Sequence, residues 1–369
     1  MLIAKIVSPF FFLAMRIISF VIYLATILAA FGGRFNPEFF SLPALLCLAF
    51  PYLACATILL AVFWAFCKKI VACALAIVTI IICLTPLSVA FPLGSAREPS
   101  GENPVFKIMS WNVIHTLDLR QPDNPGNRAV DYMINSGADV IGLVEMKNFS
   151  DELAKTPKAL KDSLFKTYPY RDGLNSTDIK ILSKYPLSRL QRILKEENGN
   201  CRYDFFNIKF PGNRELIVGV VHLFSFGLSD EERQVVTEIK SVKSAKTSVK
   251  EFKGPIRSKM RSAFIKRAEN ATSLREVIDD IDPEIPLIIC GDFNDVPTSW
   301  TYNIVKGDDM RDAYVETNFG PAITYNLHAF YFHIDQMLYR GDIEALDLTV
   351  GKINTSDHYP LIGEFQFTK

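Results

Sequence analysis

The chain has 369 residues with 40 basic and 40 acidic side chains, and 49% of its residues are hydrophobic. This length accommodates one large domain and a further segment, and the apolar excess lies before residue 93. Beyond residue 92 the chain has 35 basic and 39 acidic residues, a net charge near −4. That balance argues against a general binder of duplex nucleic acid, which needs a basic surface to neutralise phosphates.

Three apolar runs precede residue 93, at residues 9–31, 41–66 and 70–92. A helix needs about 20 apolar residues to cross the hydrocarbon core of a bilayer, so the runs predict three transmembrane helices and a membrane anchor over residues 1–92. Arg16 interrupts the first run, and a charge at the centre of a span costs about 2.5–3.5 kcal/mol. Two explanations stay open: the side chain snorkels to the surface, or translation starts at Met15.

The two turns between these runs carry different charges. Lys68 and Lys69 lie side by side in the second turn, whereas Arg34 in the first turn is offset by Glu38. Basic residues are enriched on the cytoplasmic side of membrane proteins, so we expect the second turn in the cytoplasm and the C-terminal domain outside it. The sequence predicts a multi-pass protein of the bacterial inner membrane, with a polar linker at residues 93–104 and a domain at residues 105–369.

The pattern beyond residue 105 consists of short apolar runs separated by amphipathic stretches, which is typical of an α/β or α+β core. Strands are predicted at residues 105–111, 139–145, 179–184, 203–210, 215–222, 286–291, 333–339 and 361–367. Helices are predicted at residues 126–137, 150–165, 230–250, 258–281 and 299–306. The stretch at residues 240–267 is rich in lysine and arginine. It is either a solvated helical surface or a basic arm that meets phosphate groups or anionic lipid headgroups.

Polar residues stand where these apolar runs begin or end. Each alone is more often a turn residue, but ends of strands at one edge of a sheet converge on a common cleft. We therefore expect eight side chains to meet in one site. They are Asn112, Glu145, His222, Asp292, Asn294, Asp335, Asp357 and His358.

Hydrolysis of a phosphate ester needs the chemistry that these residue types offer. A hard divalent cation takes oxygen ligands, which Asn112, Glu145 and Asp357 provide. Asp292 is the carboxylate best placed to activate water. His222 and His358 can donate hydrogen bonds to the phosphorane if neighbouring carboxylates keep them protonated.

In this order the motifs WN, GDFN, HID and SDH resemble those of the endonuclease/exonuclease/phosphatase superfamily, which includes deoxyribonuclease I and neutral sphingomyelinases. The resemblance covers residues 104–369 and implies a four-layer αββα sandwich of the deoxyribonuclease I-like type. It implies that Glu145 is the principal Mg²⁺ ligand and that Asn112 and Asp357 assist it. It further implies that Asp292 activates water, that Asn294 and His358 contact the phosphate, and that Asp335 orients His358.

His222 resembles the deoxyribonuclease I and sphingomyelinase branches of the superfamily, although a structural histidine stays an alternative. His333 replaces an arginine often found before the aspartate of the HID segment. His115 and His328 are expected to be structural or to line the substrate rim.

The sequence thus predicts a membrane-anchored phosphoesterase that uses Mg²⁺, with Mn²⁺ as the alternative ion. Its expected partners are the lipid bilayer and a phosphate-ester substrate, which is a lipid headgroup, a small phosphoester or nucleic acid. No protein partner is predicted. Two other functions stay open: an extracytoplasmic nuclease, and a catalytically inactive, membrane-tethered binding domain. The second would require loss of metal-binding or water-activating residues, all of which are present.

Overall fold

A computed structural model describes residues 9–114, 127–146, 149–173, 178–190, 202–227, 254, 256–327 and 330–369. The apolar region consists of helices α1 (Pro9–Ala30), α2 (Leu42–Phe66), α3 (Ile70–Ile82) and α4 (Leu84–Ala90). Within the described residues, α1 and α2 are each long and apolar enough to cross a membrane. There is a third candidate span only if the bent pair of helices α3 and α4 is counted as a single span.

The bend between α3 and α4 measures 67° and falls at Cys83. Pro86 follows three residues later, where it lacks the N–H that an unbroken helix would bond to Ile82. The sequence pattern of apolar residues could not show this bend, because both sides of it are equally apolar. The region therefore has two candidate spans, or three with the bent pair.

Arg16 lies nearer the N-terminal end of α1 than its C-terminal end, at the same place as in the predicted span. It is seven residues from Pro9 and lines a groove together with Lys68 and Lys69 of the α2–α3 turn. At 1.5 Å per residue this places it about 10 Å from the first described turn of the helix. The three cations therefore share one end of the helical bundle, within reach of a polar surface.

Two six-stranded sheets form most of the remaining chain. Their strands are β1 (Val105–Asn112), β2 (Val140–Val144), β3 (Tyr170–Asp172), β4 (Lys180–Ser183), β5 (Leu187–Arg189), β6 (Arg202–Phe210), β7 (Arg214–His222), β8 (Leu287–Asp292), β9 (Arg311–Asp312), β12 (Asp335–Arg340), β13 (Ile343–Val350) and β14 (Leu361–Phe367). The first sheet has the order β13-β14-β1-β2-β4-β3 and the second the order β5-β6-β7-β8-β12-β9. Strands β1 and β2 are parallel, as are β7 and β8, and the other neighbouring pairs are antiparallel.

Apolar side chains from both sheets meet in one central cluster, which includes Ile108 of β1 and Val218 of β7. The opposite faces of the sheets pack against helices. The helices are α5 (Asn127–Asn135), α6 (Phe149–Ala154), α7 (Lys158–Thr167), α8 (Arg257–Asp280), α9 (Trp300–Lys306) and α10 (Ala313–Thr317). Helices α5 to α7 cover the first sheet, and α8 and α9 cover the second. The mixed α/β class is confirmed.

Several predicted elements differ from those in the structure. The helix predicted at residues 150–165 is two helices, α6 and α7, because Pro157 cannot continue a helix and stands at the N-cap of α7. Strand β13 was not predicted, since polar residues interrupt its apolar pattern. A hairpin of β10 (Tyr325–Leu327) and β11 (Phe330–Phe332) was also missed. The helix predicted at residues 230–250 lies outside the described residues.

Candidate active site

The ends of four central strands meet at one edge of the paired sheets. Strand β1 ends at Asn112, and Glu145 follows the parallel neighbour β2. Strands β7 and β8 end at His222 and Asp292, which are paired in register. Asp335 begins the antiparallel strand β12 directly opposite Asp292. The register of the sheets thus brings together side chains separated by more than 200 residues in sequence.

Asn112 joins the two central carboxylates. Its buried side-chain nitrogen donates to Oε1 of Glu145 at 3.1 Å and to Oδ2 of Asp292 at 3.0 Å. Its Oδ1 accepts the N–H of Ile114 at 3.0 Å. Asn112 therefore presents its amide nitrogen to the site and bridges the carboxylates. Its role as a metal ligand, which would use Oδ1, stays a prediction.

His222 lies between two carboxylates. Its Nδ1 is 3.0 Å from Oδ2 of Asp178, and its Nε2 is 3.1 Å from Oε1 of Glu145. Burial opposes protonation of the ring, but the two carboxylates outweigh it and raise the pKa of His222 to about 10. The ring is thus held as a cation beside the site. Asp178 was missed from the sequence, where it precedes the short strand β4 instead of ending a long apolar run.

His358 forms a second histidine–aspartate pair. Its Nδ1 is 2.8 Å from Oδ2 of Asp335, and its Nε2 is 3.7 Å from Oδ2 of Asp292. Burial disfavours the charged ring, but Asp335 and Asp292 raise its pKa to about 10. The backbone is fixed as well, because Trp111 Nε1 donates to the carbonyl of His358 at 3.0 Å. The orientation of His358 is therefore set before any substrate binds.

The two central carboxylates differ in acidity. Burial raises the pKa of Asp292 to about 6, although His358 partly offsets this effect. Glu145 is also penalised by burial, but His222 and Asn112 lower its pKa to about 2. Glu145 is thus ionised at neutral pH, whereas Asp292 titrates close to it. Paired carboxylates with separated pKa values are suited to different chemical roles.

Asn294 and Asp357 lie beside this cluster. The backbone N–H of Asn294 donates to Oδ1 of Asp292 at 2.7 Å, and its side-chain nitrogen donates to the carbonyl of Leu223 at 3.0 Å. Asp357 is buried, and its Oδ1 is 3.4 Å from the hydroxyl of Ser356. Asn294 has a φ of 52° and Glu145 a φ of 57°, a strained region for residues other than glycine. The site therefore holds backbone strain at two of its residues.

The donor set fits a hard divalent cation. Glu145, His222 and Asp292 have carboxylate or ring atoms within 4.8 Å of one another, and so do Asp292, Asp335 and His358. The two groups share Asp292. The carboxylate oxygens are the ligands they would supply, because a protonated imidazole has no free lone pair, and such oxygens suit a hard cation better than a thiolate-binding metal. Asp357 belongs to neither group among the described residues, so its role as a ligand stays a prediction.

His333, the remaining histidine among the described residues, does not join this cluster. His333 packs its ring edge-on against Tyr314, with centroids 5.0 Å apart, and burial lowers its pKa to about 4. The ring is therefore neutral at physiological pH, and it packs against Tyr314 in the interior of the domain. His115 and His328 lie outside the described residues.

Comparison with known proteins identifies the family. Residues 109–358 match the family model described as the Endonuclease/Exonuclease/phosphatase family. Residues 10–90 match a second model, described as a domain of unknown function (DUF8431). No curated protein matches the chain significantly.

Solved structures similar to the chain include three from this superfamily. An endonuclease/exonuclease/phosphatase from Beutenbergia cavernae has 16% identity and a TM-score of 0.45, with 72% of each chain covered. A family protein from Bacteroides thetaiotaomicron has 14% identity and a TM-score of 0.46, covering 72% of this chain and 99% of that one. D. rerio TDP2 complexed with a single-strand DNA product has 15% identity and a TM-score of 0.48, with coverages of 72% and 100%.

The family match and the clustered carboxylates and histidines define a hydrolase that acts on phosphoester bonds. Enzymes of this kind depend on a divalent metal. The family model covers more than half of the sequence, so the chain belongs to the Endonuclease/Exonuclease/phosphatase family.

Proposed function

We propose that the protein is a Mg²⁺-dependent phosphoesterase that works at a membrane surface and hydrolyses a phosphodiester or phosphomonoester. One observation carries this proposal: two carboxylates of different acidity, Glu145 and Asp292, are joined by Asn112. The protonated ring of His222 lies on one side of these carboxylates and that of His358 on the other. Such a site can hold a cation, receive a proton and donate hydrogen bonds to an anion.

Glu145 is the proposed principal ligand of the metal, with Asn112 and Asp357 assisting. When bound, Mg²⁺ supplies positive charge that stabilises the phosphate oxygens and makes water more acidic. Glu145 suits this role because its low pKa leaves it ionised across the physiological range. Mn²⁺ is the alternative ion, since it accepts the same oxygen ligands.

Asp292 is the proposed base for the attacking water. Its pKa of about 6 leaves it mostly ionised at neutral pH and still basic enough to take a proton. His358 and His222 donate hydrogen bonds to the phosphate oxygens as negative charge develops there. Asp335 holds His358 in position, and Asn294 contacts the phosphate in this scheme.

We propose a four-layer sandwich at residues 105–369, a linker at residues 93–104 and three spans within residues 1–92. The third span is supported by a contact between the α1–α2 turn and the catalytic domain, where the side chain of Asn303 donates to the carbonyl of Gly33. If α3–α4 did not cross, a bilayer core of about 30 Å would separate these groups.

The arrangement of charges supports an orientation. Arg16, Lys68 and Lys69 share the end of the bundle away from the catalytic domain, so the proposed cytoplasmic side is that end. The domain then lies outside the cytoplasm, as proposed for a bacterial inner-membrane protein. A nuclease acting there is the alternative. A catalytically inactive domain is disfavoured, because the carboxylates and histidines lie together in one cluster.

The proposal is tested with the purified full chain and a soluble chromogenic phosphodiester. We expect hydrolysis with Mg²⁺ that stops when a chelator is added. Asp292→Asn keeps the shape of the side chain but removes the base, and we expect a rate loss of about 10²-fold or more. The matched control is Asp308→Asn, a change at an exposed acid. Full activity in Asp292→Asn would show that the assigned mechanism is wrong.

A further inference from the structure

The turn between α1 and α2 packs directly against the loop that follows the catalytic strand β8. A side chain at Gly33 would place its Cβ 1.9 Å from the carbonyl oxygen of Thr298, so only glycine allows this approach. Fourteen residues after Gly33, in the first turns of α2, Cys47 is buried against Val296 and Ile334. Val296 and Ile334 adjoin the segments that carry Asp292 and Asp335. The membrane region and the active site therefore share a packed interface.

This interface fixes the height of the active site above the membrane. Cys47 is five residues from Leu42, the first residue of α2. At 1.5 Å per residue these positions are about 7.5 Å apart along the helix axis. The headgroup layer on each side of a bilayer is about 5–7.5 Å thick. The loops beside Asp292 and Asp335 therefore lie at the depth of the lipid headgroups when α2 spans the membrane.

The hairpin β10–β11 connects the catalytic histidine to the same helix. Tyr325 pairs with His358 as an isolated β-bridge, and the centroids of their rings are 5.0 Å apart. Tyr325 and Phe332 also pack against the cluster around Cys47. One short hairpin thus forms the wall between His358 and the membrane helix.

The beginning of α8 adds positive charge at this interface. Ile256, Met260 and Phe264 pack against Ala44 near the start of α2. On the same two turns of α8, Arg257 and Arg261 are exposed. Basic side chains beside a membrane helix attract anionic headgroups. The domain as a whole has a net negative charge. The positive charge at the beginning of α8 is therefore opposite in sign to the net charge of the domain.

The α1–α2 turn also presents aromatic side chains to its surroundings. Phe39 is 88% exposed, and Phe35 and Phe40 are each about half exposed. Exposed large apolar side chains beside apolar helices are suited to the interfacial layer of a bilayer. The face around the interface thus combines aromatic and basic groups.

We infer that the substrate is the phosphoester of an anionic membrane lipid, which reaches the site from the bilayer along the α1–α2 turn and the hairpin. This inference rests on the proposed function. Water oxygen bonds to phosphorus, one phosphorus–oxygen ester bond breaks, and the departing alcohol oxygen takes a proton. The lipid phosphate needs no extraction, because the site lies at its depth.

The test uses the full chain reconstituted in vesicles of phosphatidylethanolamine and phosphatidylglycerol with Mg²⁺. Lipid products are measured by mass spectrometry, and bis-p-nitrophenyl phosphate and a single-stranded oligonucleotide serve as soluble substrates. We expect lipid hydrolysis to exceed hydrolysis of either soluble substrate by about tenfold or more, because substrate and enzyme share one surface. Cleavage of a soluble substrate with all lipids intact would overturn this inference alone. Hydrolysis of none of them would overturn the proposed function and this inference with it.

Two pairs of variants test the interface. Gly33→Asn introduces a side chain at the contact with Thr298, whereas Gly101→Asn adds one in open space at a φ of 67° that asparagine tolerates. We expect the ratio of lipid to soluble-diester hydrolysis to fall by about fivefold or more in Gly33→Asn and to stay unchanged in Gly101→Asn. An unchanged ratio in Gly33→Asn would contradict the inference.

The second pair requires no change in a packed region. Arg261→Glu reverses an exposed charge at the interface, and Lys166→Glu reverses one on α7, which covers the other sheet. Hydrolysis of phosphatidylglycerol is expected to fall several-fold in Arg261→Glu alone, while both variants hydrolyse the soluble diester equally. Equal lipid hydrolysis by the two variants would count against the anionic lipid.

Discussion

Each imidazole ring of the site is held by a carboxylate on the side away from the reacting centre. Asp335 holds His358, and Asp178 holds His222. A ring held in this way keeps both its orientation and its proton, which a donor to a phosphate oxygen needs. Each pair joins the two sheets: Asp178 precedes β4 of the first sheet and His222 ends β7 of the second, whereas Asp335 begins β12 of the second and His358 precedes β14 of the first. An aspartate–histidine pair therefore lies on each side of the central carboxylates.

Asp178 is thus a positioning residue, and Asp178→Asn tests this role. The change keeps the shape but removes the charge that raises the pKa of His222 to about 10 against the effect of burial. We expect the pKa of His222, measured by NMR of the labelled ring, to fall. Because a ring with a lower pKa is less often protonated at high pH, activity should be lost at a lower pH than in the natural protein.

The control for this experiment is Asp131→Asn, at an exposed acid of α5. Its His222 titration and its pH profile should match those of the natural protein. A merely structural role for Asp178 would reduce the amount of folded protein without moving the titration of His222. An unchanged pKa in Asp178→Asn would therefore exclude the positioning role.

At the scale of elements, the site depends on how closely β7 and β8 approach each other. Gly291 has a φ of 144°, and a Cβ there would lie 1.9 Å from the carbonyl oxygen of Val221. These two residues immediately precede Asp292 and His222. Any side chain at Gly291 must push the two strand ends apart and displace both functional groups.

Gly291→Ala is therefore expected to lower the free energy of unfolding by about 2–4 kcal/mol, from the strained φ together with the clash. Activity of the remaining folded protein should fall at least about tenfold, because the separation of Asp292 and His222 changes. Gly137→Ala is the control, since it shares a positive φ of 75° but has nothing within 4 Å of the added Cβ. Similar losses in both variants would refute the importance of the close approach.

The sequence predicted elements well where apolar runs were long. Asn112, Glu145, His222 and Asp292 each follow or end such a run, and the strands end within a residue of the predictions. Their convergence was expected because the ends of strands at one edge of a sheet meet in a common cleft. The roles of these residues remain predictions, because their chemistry depends on a bound metal and a substrate.

Other features could not be predicted because they depend on contacts distant in sequence. In strand β13 a bulge between Ala345 and Asp347 breaks the alternation of buried and polar residues, and the segment becomes a strand through its pairing with β14. Strand β14 in turn pairs with β1, at the opposite end of the domain. Likewise, nothing in the local sequence shows that Gly33 must be a glycine, since its neighbour Thr298 is 265 residues away.

For the whole molecule, the contact between the α1–α2 turn and the catalytic domain determines which topologies are allowed. With three spans, this turn and the domain lie on one side of the membrane and the α2–α3 turn on the other. With two spans, the domain would lie with the α2–α3 turn. The hydrogen bond from Asn303 to Gly33 requires the first arrangement.

Cysteine labelling can distinguish these topologies. In a chain whose seven native cysteines are replaced by alanine, single cysteines are introduced as Glu38→Cys, Lys69→Cys or Lys352→Cys, all at exposed positions. A membrane-impermeant maleimide added to intact spheroplasts should label Glu38→Cys and Lys352→Cys, whereas Lys69→Cys should react only after the membrane is permeabilised. Labelling of Glu38→Cys and Lys352→Cys from opposite sides would establish an odd number of spans between them. The catalytic loops could not then pack on the start of α2, and the site would lose its fixed depth at the lipid headgroups.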